Sequence, residues 1–358
     1  MRSIEELKID KDIGIAKTLP GFFYTSDSIF NEIIQLIFED SWQLIAHENK
    51  FEKTINPFIF LKDSLNEPLI YINSDERIVV SNVCTHRANI LITCPSDRVL
   101  KCKYHGRQFN LDGTFKSAPG FSENINFPSN SDNLNIIKST IWKSLIFCTL
   151  SNSSKITGSL EKIDDIMSFY PFEKLNFFNT SSYEIGANWL LYCDNYLEGF
   201  HVPFVHSGLS RDIDLKSYSI DLYDNFVLQS ACTKNKLLSF NDSLPGNDGQ
   251  YPYAYYFFLF PNTMINFYPW GISVNVIEPI SLTKTRIKYI TLLLDGQNKP
   301  IDADSCVDKV ELEDQEIVLK SQLGVGSRFC KRGRYSKLHE SGLHHFHRFL
   351  LIKLKNKG

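Results

Sequence analysis

From Ser26 to Trp42 the apolar residues Ile29, Phe30, Ile33, Ile34, Ile37 and Phe38 recur at helical spacing, behind the cap candidates Thr25 and Ser26. The pattern predicts an amphipathic helix with one buried face. From Trp42 to Phe147 the runs become short and β-like (FIFLK, LIYIN, RIVVSNV, VLKCKYH), each bounded by turn residues. Asp112-Gly113, between Phe109 and Phe115, is a hairpin-turn signal, and Pro119-Gly120 and Pro128-Ser129 mark loops. This stretch reads as a small all-β unit of roughly 100 residues.

The polar SNSSKITGSLEK at 151–162 reads as an exposed connection. Beyond it the pattern predicts a helix from Gly186 to Glu198 and strands at YAYYFFLF, ISVNVIEP and TRIKYITLLL. Further helices are predicted over Asp308–Leu323 and from Gly342 onward. Strands in succession with helices gathered at the ends imply an antiparallel sheet in an α+β domain.

Composition narrows the class. The chain has 358 residues, 43% of them hydrophobic and 22% charged, enough for two globular domains. A net charge of −3 gives no broad footprint for nucleic acid. MRSIEELKID lacks the apolar region of a secretory signal, and no run of about 18 apolar residues suggests a membrane span. Eight scattered cysteines read as reduced thiols or metal ligands in a cytoplasmic protein.

Two of those cysteines carry chemistry. Cys84-Thr85-His86 and Cys102-Lys103-Tyr104-His105 each pair a thiol with an imidazole, with fifteen residues between His86 and Cys102. Zinc fingers usually group like ligands with like. Two mixed loops suit a binuclear centre in which cysteines bind one iron and histidines the other, the Rieske 2Fe-2S arrangement. A single structural zinc is the alternative. Cys94 stands outside both clusters and reads as an ordinary cysteine.

A Rieske cluster moves single electrons but activates no substrate, so an open metal site is expected elsewhere. NWLLYCDNYLEGFHVPFVH supplies one: Asp194, Glu198 and His201 fall at i, i+4 and i+7 on an otherwise apolar helix. Pro203 is expected to stop that helix, so that His206 returns from the next turn. Asp314 has Val310, Ile317 and Val318 as helical neighbours, so its carboxylate sits on an apolar stripe, while Glu313 is expected to face away. Two histidines and a carboxylate make the facial triad of non-haem Fe(II) oxygenases. His201, His206 and Asp314 are therefore the candidate iron ligands, with Glu198, Asp194 and Asn195 as candidate catalytic side chains beside them.

CTHRANIL and CKYHGRQF resemble the cluster-binding loops of Rieske-type non-haem iron oxygenases, the α subunits of ring-hydroxylating dioxygenases and their monooxygenase relatives. Many members have Gly where Ala88 stands and Trp where Arg107 stands. The resemblance covers essentially the whole chain. It implies residues 1–41 as a helical segment packing with the catalytic domain and 42–150 as an all-β Rieske domain. Residues 151–358 then form a catalytic domain with a curved, helix-grip-like antiparallel sheet flanked by helices. It implies Cys84, His86, Cys102 and His105 as cluster ligands and the third iron ligand on a late helix. It also implies that Glu198 bridges His201 to a cluster histidine, His105, of a neighbouring subunit in a homotrimer.

Glu at position 198 and the GRYSKLHESGLHHFH ending resemble choline- and glycine-betaine-oxidising members. The run 251–270 holds ten aromatics in twenty positions, of which Tyr253, Tyr255, Phe257 and Trp270 are candidates for a cage around a quaternary ammonium group. An aromatic ring-hydroxylating dioxygenase is the alternative substrate reading. A Rieske electron carrier without oxygenase chemistry and a zinc-stabilised binding module are the alternatives of other classes. No GxGxxG fingerprint or plant-type four-cysteine pattern is present, so NAD(P)H electrons are expected through a separate ferredoxin or flavin reductase. The expected partners are that reductase, O2 and a small-molecule substrate, with no nucleic acid and no membrane. His339, His344, His345 and His347 are read as packing and hydrogen-bonding groups, and His47 has no assigned partner.

Overall fold

A computed structural model describes residues 4–152, 155–240, 251–298 and 307–356. The chain divides into two compact units, one of residues 39–156 and the other of residues 1–38 with 157–358.

The first unit is all β. A six-stranded antiparallel sheet combines β1 (Gln43–His47), β2 (Ile55–Phe60), β3 (Glu67–Ile72) and β4 (Ile78–Ser81) with two later strands. A three-stranded sheet of β5 (Leu100–Lys101), β6 (Gln108–Phe109) and β7 (Phe115–Ser117) intervenes before β8 (Ile136–Trp142) and β9 (Leu145–Thr149) close the larger sheet. The Asp112-Gly113 turn joins β6 to β7. Gly113 has φ +83°, and Asp112 Oδ1 accepts from the Thr114 amide at 2.8 Å. Ile55, Ile70, Val80, Leu100 and Phe109 pack with Cys84 and Cys102 into one buried cluster, so the two thiols grow out of the core itself.

The second unit opens with α1 (Gly21–Thr25) and α2 (Asp27–Ile33), the latter capped by the Ser26 side chain. A π turn over Ile34–Phe38 continues the buried stripe, so the helix expected to reach Trp42 ends four residues earlier. α3 (Thr157–Ile166) lies where the sequence suggested an exposed connection; residues 153 and 154 of that stretch lie outside the described residues. Its few apolar residues explain the correction, because Ile156, Leu160, Ile163 and Met167 fall on one helical face and are all buried.

Seven antiparallel strands form the sheet of this unit, in the order β10-β16-β15-β14-β13-β12-β11. They are β10 (Leu175–Ile185), β11 (Ser219–Tyr223), β12 (Phe226–Thr233), β13 (Tyr251–Leu259), β14 (Thr263–Tyr268), β15 (Gly271–Ser281) and β16 (Lys284–Leu294). Strand alternation sorts the side chains of β13 and β14 between two faces. Phe257 and Phe267 pack on each other and on Phe226 and Tyr170. Phe258 turns the other way, against Tyr196 and Phe346. That second face receives α4 (Trp189–Tyr196), whose Trp189 is fully buried against Phe38 and Phe346. The short helices α5 (Val202–Val205) and α6 (Leu209–Asp212) follow, and α7 (Val307–Val325) and α8 (Ser341–Lys355) complete the unit. None of the described helices is long and apolar enough to cross a membrane. The seven described cysteines are free thiols, and Cys306 lies outside the described residues.

Candidate metal centres and substrate cavity

The two Cys/His loops are built alike. Cys84 O accepts from the Ala88 amide and Cys84 N donates to Asn89 O; Cys102 O accepts from Gly106 N and Cys102 N donates to Arg107 O. Each thiol also accepts from the amides two and three residues ahead, His86 and Arg87 for Cys84, Tyr104 and His105 for Cys102. The fifth residue of each loop takes a left-handed conformation, Ala88 at φ +53° and Gly106 at φ +77°. Ala88 carries the Cβ penalty that its counterpart avoids.

Both thiols are buried, whereas His105 is exposed and His86 half-buried, with the two imidazole centroids 4.7 Å apart. Two adjacent buried sulfurs under amide donors, with two outward imidazoles, fit a sulfide-bridged iron pair ligated by cysteines at its inner iron and histidines at its outer one. Arg107 lies beneath this site, only 3% exposed. Its guanidinium donates to Thr85 Oγ1 at 2.8 Å and to Asp132 at 3.2 Å, and lies over the rings of Phe115, Phe121 and Phe127.

The second centre lies in the other unit. His201 Nδ1 meets Glu198 Oε1 at 2.7 Å, and His206 Nδ1 meets Glu313 Oε2 at 2.8 Å. The opposite ring nitrogens converge on one oxygen: His206 Nε2 is 3.0 Å and His201 Nε2 is 3.6 Å from Asp314 Oδ1. Asn195 Nδ2 donates to that same oxygen at 2.6 Å. One ligand atom from each of His201, His206 and Asp314 lies within 4.8 Å of the others. With each Nδ1 held by a carboxylate, both Nε2 atoms are free to face a metal, the second-sphere pattern expected around ligating histidines. Two imidazoles and one carboxylate on one side suit Fe(II) with open positions.

Several expectations are corrected here. α4 ends at Tyr196, so Asp194, Glu198 and His201 share no helical stripe. Asp194 points elsewhere, accepting from Tyr24 Oη at 2.7 Å and meeting His347 Nε2 at 2.8 Å; it is not at the metal site. Glu198 interrupts the helical run by receiving the amides of Phe200 and His201, which opens the next turn. Pro203 therefore does not stop a helix. It sits in the first turn of α5, where a missing amide costs nothing. Glu313 does not face away from the centre, since it holds His206. The C-terminal histidines go to separate partners: His344 to Asp10 O, His345 to Tyr223 O, His347 to Asp194 and Tyr335, and His339 stacked on Phe200.

A cavity of about 340 Å³ opens beside the triad. Tyr253 and Trp270 line it, as do Tyr196, Tyr256 and Tyr268, which the sequence did not single out. Tyr255 and Phe257, expected there, turn instead to Phe169 and Phe267. A bulge explains the difference. Pairing of β13 with β12 skips Tyr253, between Pro252↔Cys232 and Ala254↔Ala231, so the alternation slips by one residue and Tyr253 joins the Tyr256 face. Glu311, also unsuspected, lines the cavity. Its carboxyl accepts from Asn275 at 2.9 Å, from Tyr289 at 2.6 Å and from Tyr192. Burial, with the Asp314 charge adding, pushes its pKa up to about 7 against those hydrogen bonds. Glu311 lies one helical turn before Asp314, a signal hidden among the many acids of this helix.

Comparison with known proteins fits both centres. Residues 41–132 match the Rieske [2Fe-2S] domain, and residues 172–355 match the ring hydroxylating alpha subunit (catalytic domain). The chain belongs to the ring-hydroxylating alpha-subunit family. It is 28% identical to the chloroplastic choline monooxygenase of Amaranthus tricolor over 93% of this chain and 77% of that one. Identity is 25% to the carnitine monooxygenase oxygenase subunit of Escherichia coli K12, over 95% of each chain. A solved quaternary ammonium Rieske monooxygenase, described in terms of carnitine oxidation and inter-subunit electron transfer, shares the fold. It has a TM-score of 0.72 at 22% identity over 95% of each chain. This alpha subunit is thus the oxygenase component of a Rieske system, an oxidoreductase with a 2Fe-2S cluster and a non-haem iron that receives its electrons from a reductase.

Proposed function

We propose that this alpha subunit hydroxylates or oxidatively demethylates a quaternary ammonium compound such as choline or glycine betaine. In this reading residues 42–150 carry the cluster on Cys84, His86, Cys102 and His105. Residues 151–358, with the helical segment 1–41, carry iron on His201, His206 and Asp314. The observation that carries the proposal is the joining of aromatic walls to the triad. Tyr253, Tyr256, Tyr268 and Trp270 line the same cavity as His201, His206 and Asp314. Ring faces attract a methylated cation that has no N–H to donate.

Iron, when bound, supplies coordination positions at which dioxygen is activated, and the cluster supplies electrons one at a time. The chain's own groups do the rest. Glu198 and Glu313 fix the tautomer and ring orientation of the two histidines through Nδ1. Asn195 holds the ligating oxygen of Asp314 in place. Tyr268 and Trp270, stacked 4.9 Å apart, form a rigid wall that excludes water and orients an N-methyl group toward the triad. Glu198 also provides the route by which electrons reach His201 from His105 of a neighbouring copy in a homotrimer working in the cytoplasm. Supporting this route, Glu198 already grips His201 at 2.7 Å.

NAD(P)H-driven oxygen uptake with a ferredoxin or flavin reductase, across methylated amines and simple arenes, tests the proposal. Uptake coupled to an ammonium substrate is expected. Stimulation by arenes alone would reverse the reading in favour of ring hydroxylation.

A further inference from the structure

Three acids line the cavity, Glu198, Glu311 and Asp314, and among the described residues no Lys or Arg does. Two of the three are already committed. Glu198 is bound to His201 and its backbone, and Asp314 to the histidines and Asn195. Glu311 differs. Its hydrogen-bond partners Asn275, Tyr192 and Tyr289 are all neutral, so its carboxylate, when ionised, is oriented but has no counter-ion among them. A carboxylate withdrawn from water without a counter-ion is costly, and a cation entering the cavity relieves that cost.

We propose that Glu311 is the counter-ion for the substrate's ammonium head, and that the cavity selects a cation whose other arm carries no carboxylate. This rests on the quaternary ammonium reading and narrows it to a choline-like amino alcohol over zwitterions such as glycine betaine or carnitine. A substrate carboxylate in this cavity finds neutral amides and no cationic side chain among the described lining residues. Gln229 is already used by Tyr196 O and Tyr218 Oη, and Asn266 by Tyr196 Oη. A divalent metal does not reverse the balance, because the carboxylates Glu198, Glu313 and Asp314 around it already outnumber its two charges. A substrate carboxylate therefore meets like charge with no cation to offset it. A hydroxyl arm carries no such penalty.

The purely structural role for Glu311, tying α7 to β15 and β16, predicts something else. Its loss would weaken all ligands alike. The test is calorimetric binding to the iron-loaded oxygenase of three probes: choline, its uncharged isostere 3,3-dimethylbutan-1-ol, and glycine betaine. Wild-type protein is expected to bind choline at least about tenfold tighter than either of the others. Glu311→Gln keeps the shape and is expected to lose roughly thirtyfold or more for choline while leaving the neutral isostere unchanged. Equal losses for choline and the isostere would overturn the counter-ion role, and betaine binding as tight as choline in the wild type would overturn the selectivity. The wild-type comparison decides the second point even if Glu311→Gln does not fold. Failure of every ammonium probe to bind would instead remove the functional reading on which the inference rests.

Discussion

Glu313 holds Nδ1 of His206 at 2.8 Å, the mirror of the 2.7 Å grip of Glu198 on His201. Both histidines proposed to hold iron are therefore oriented by carboxylates, and only one of the two carboxylates was visible as a candidate before the structure. Glu313→Gln leaves an amide that can still accept a hydrogen bond but adds no charge to the imidazole. Metal affinity is expected to fall roughly 10–100-fold. Competition with a chelator, followed by metal analysis of the recovered protein, measures it; unchanged affinity would reduce Glu313 to a surface acid.

Arg107 offers a test of the all-β unit. Its side chain is buried among three phenylalanines and bonded to Thr85, between Cys84 and His86, and to Asp132. Arg107→Met fills much of the space but removes a donor from Asp132 and from Thr85, which keep their bonds to Ser129 and to Asp132 O. Losing these charge-assisted hydrogen bonds from the buried arginine is expected to cost about 1–2 kcal/mol. Denaturant melts followed by the visible absorbance of the cluster report this unit alone. A midpoint unmoved by the substitution would mean that the ion pair contributes nothing to it.

Gly199 sits where a Cβ would lie 2.7 Å from the Tyr218 ring, between Glu198 and His201. Tyr218 cannot retreat freely, since its hydroxyl is bonded to Gln229 and its ring lines the cavity. Gly199→Ala is expected to cost about 1–3 kcal/mol through overpacking and to lower iron occupancy along with the melting temperature. Wild-type iron content in a folded Gly199→Ala protein would contradict that close packing.

The raised pKa of Glu311 makes cation binding depend on pH. The groups facing it are Asp314, which shares its helix, Tyr192 and Tyr196 from α4, and Tyr183, Tyr268 and Tyr289 from the sheet. Its value is about 7 in the folded chain against 4.5 ordinarily. The folded state thus holds this proton more tightly than the unfolded one. The resulting stability is fully present below pH 4.5 and is lost as pH rises through about 7. A bound cation favours the ionised form, so KM for choline is expected to fall as pH rises through the same window. In Glu311→Gln that slope should flatten. An identical KM profile in wild type and variant would assign the titration to another group.

The cluster loops were legible because thiols and imidazoles at short spacing leave few alternative readings. The convergence of His201, His206 and Asp314 was legible for the same reason, even though the helix reasoning around it was partly wrong. Asp194 was drawn in by extending one helical phase past Tyr196, where Glu198 in fact caps a new turn. Tyr255 and Phe257 were drawn in by strand alternation that a bulge at Tyr253 resets. Such local breaks of period are tertiary choices, invisible to a periodic reading. Glu311 and Glu313 were lost for the opposite reason: in a helix crowded with acids, only packing against Tyr289 or His206 distinguishes one carboxylate from its neighbours. α3 went unread because its two buried residues, Leu160 and Ile163, are set among polar ones, with Ile156 and Met167 buried just beyond its ends.

The account depends most on two separate iron sites held by two separate ligand sets. Electron paramagnetic resonance of the reduced protein, with metal analysis, for wild type and His206→Ala tests this directly. The account predicts that His206→Ala keeps the reduced-cluster signal, loses the mononuclear iron and no longer couples NAD(P)H oxidation to product. A variant that retained its full iron content and turnover would contradict it.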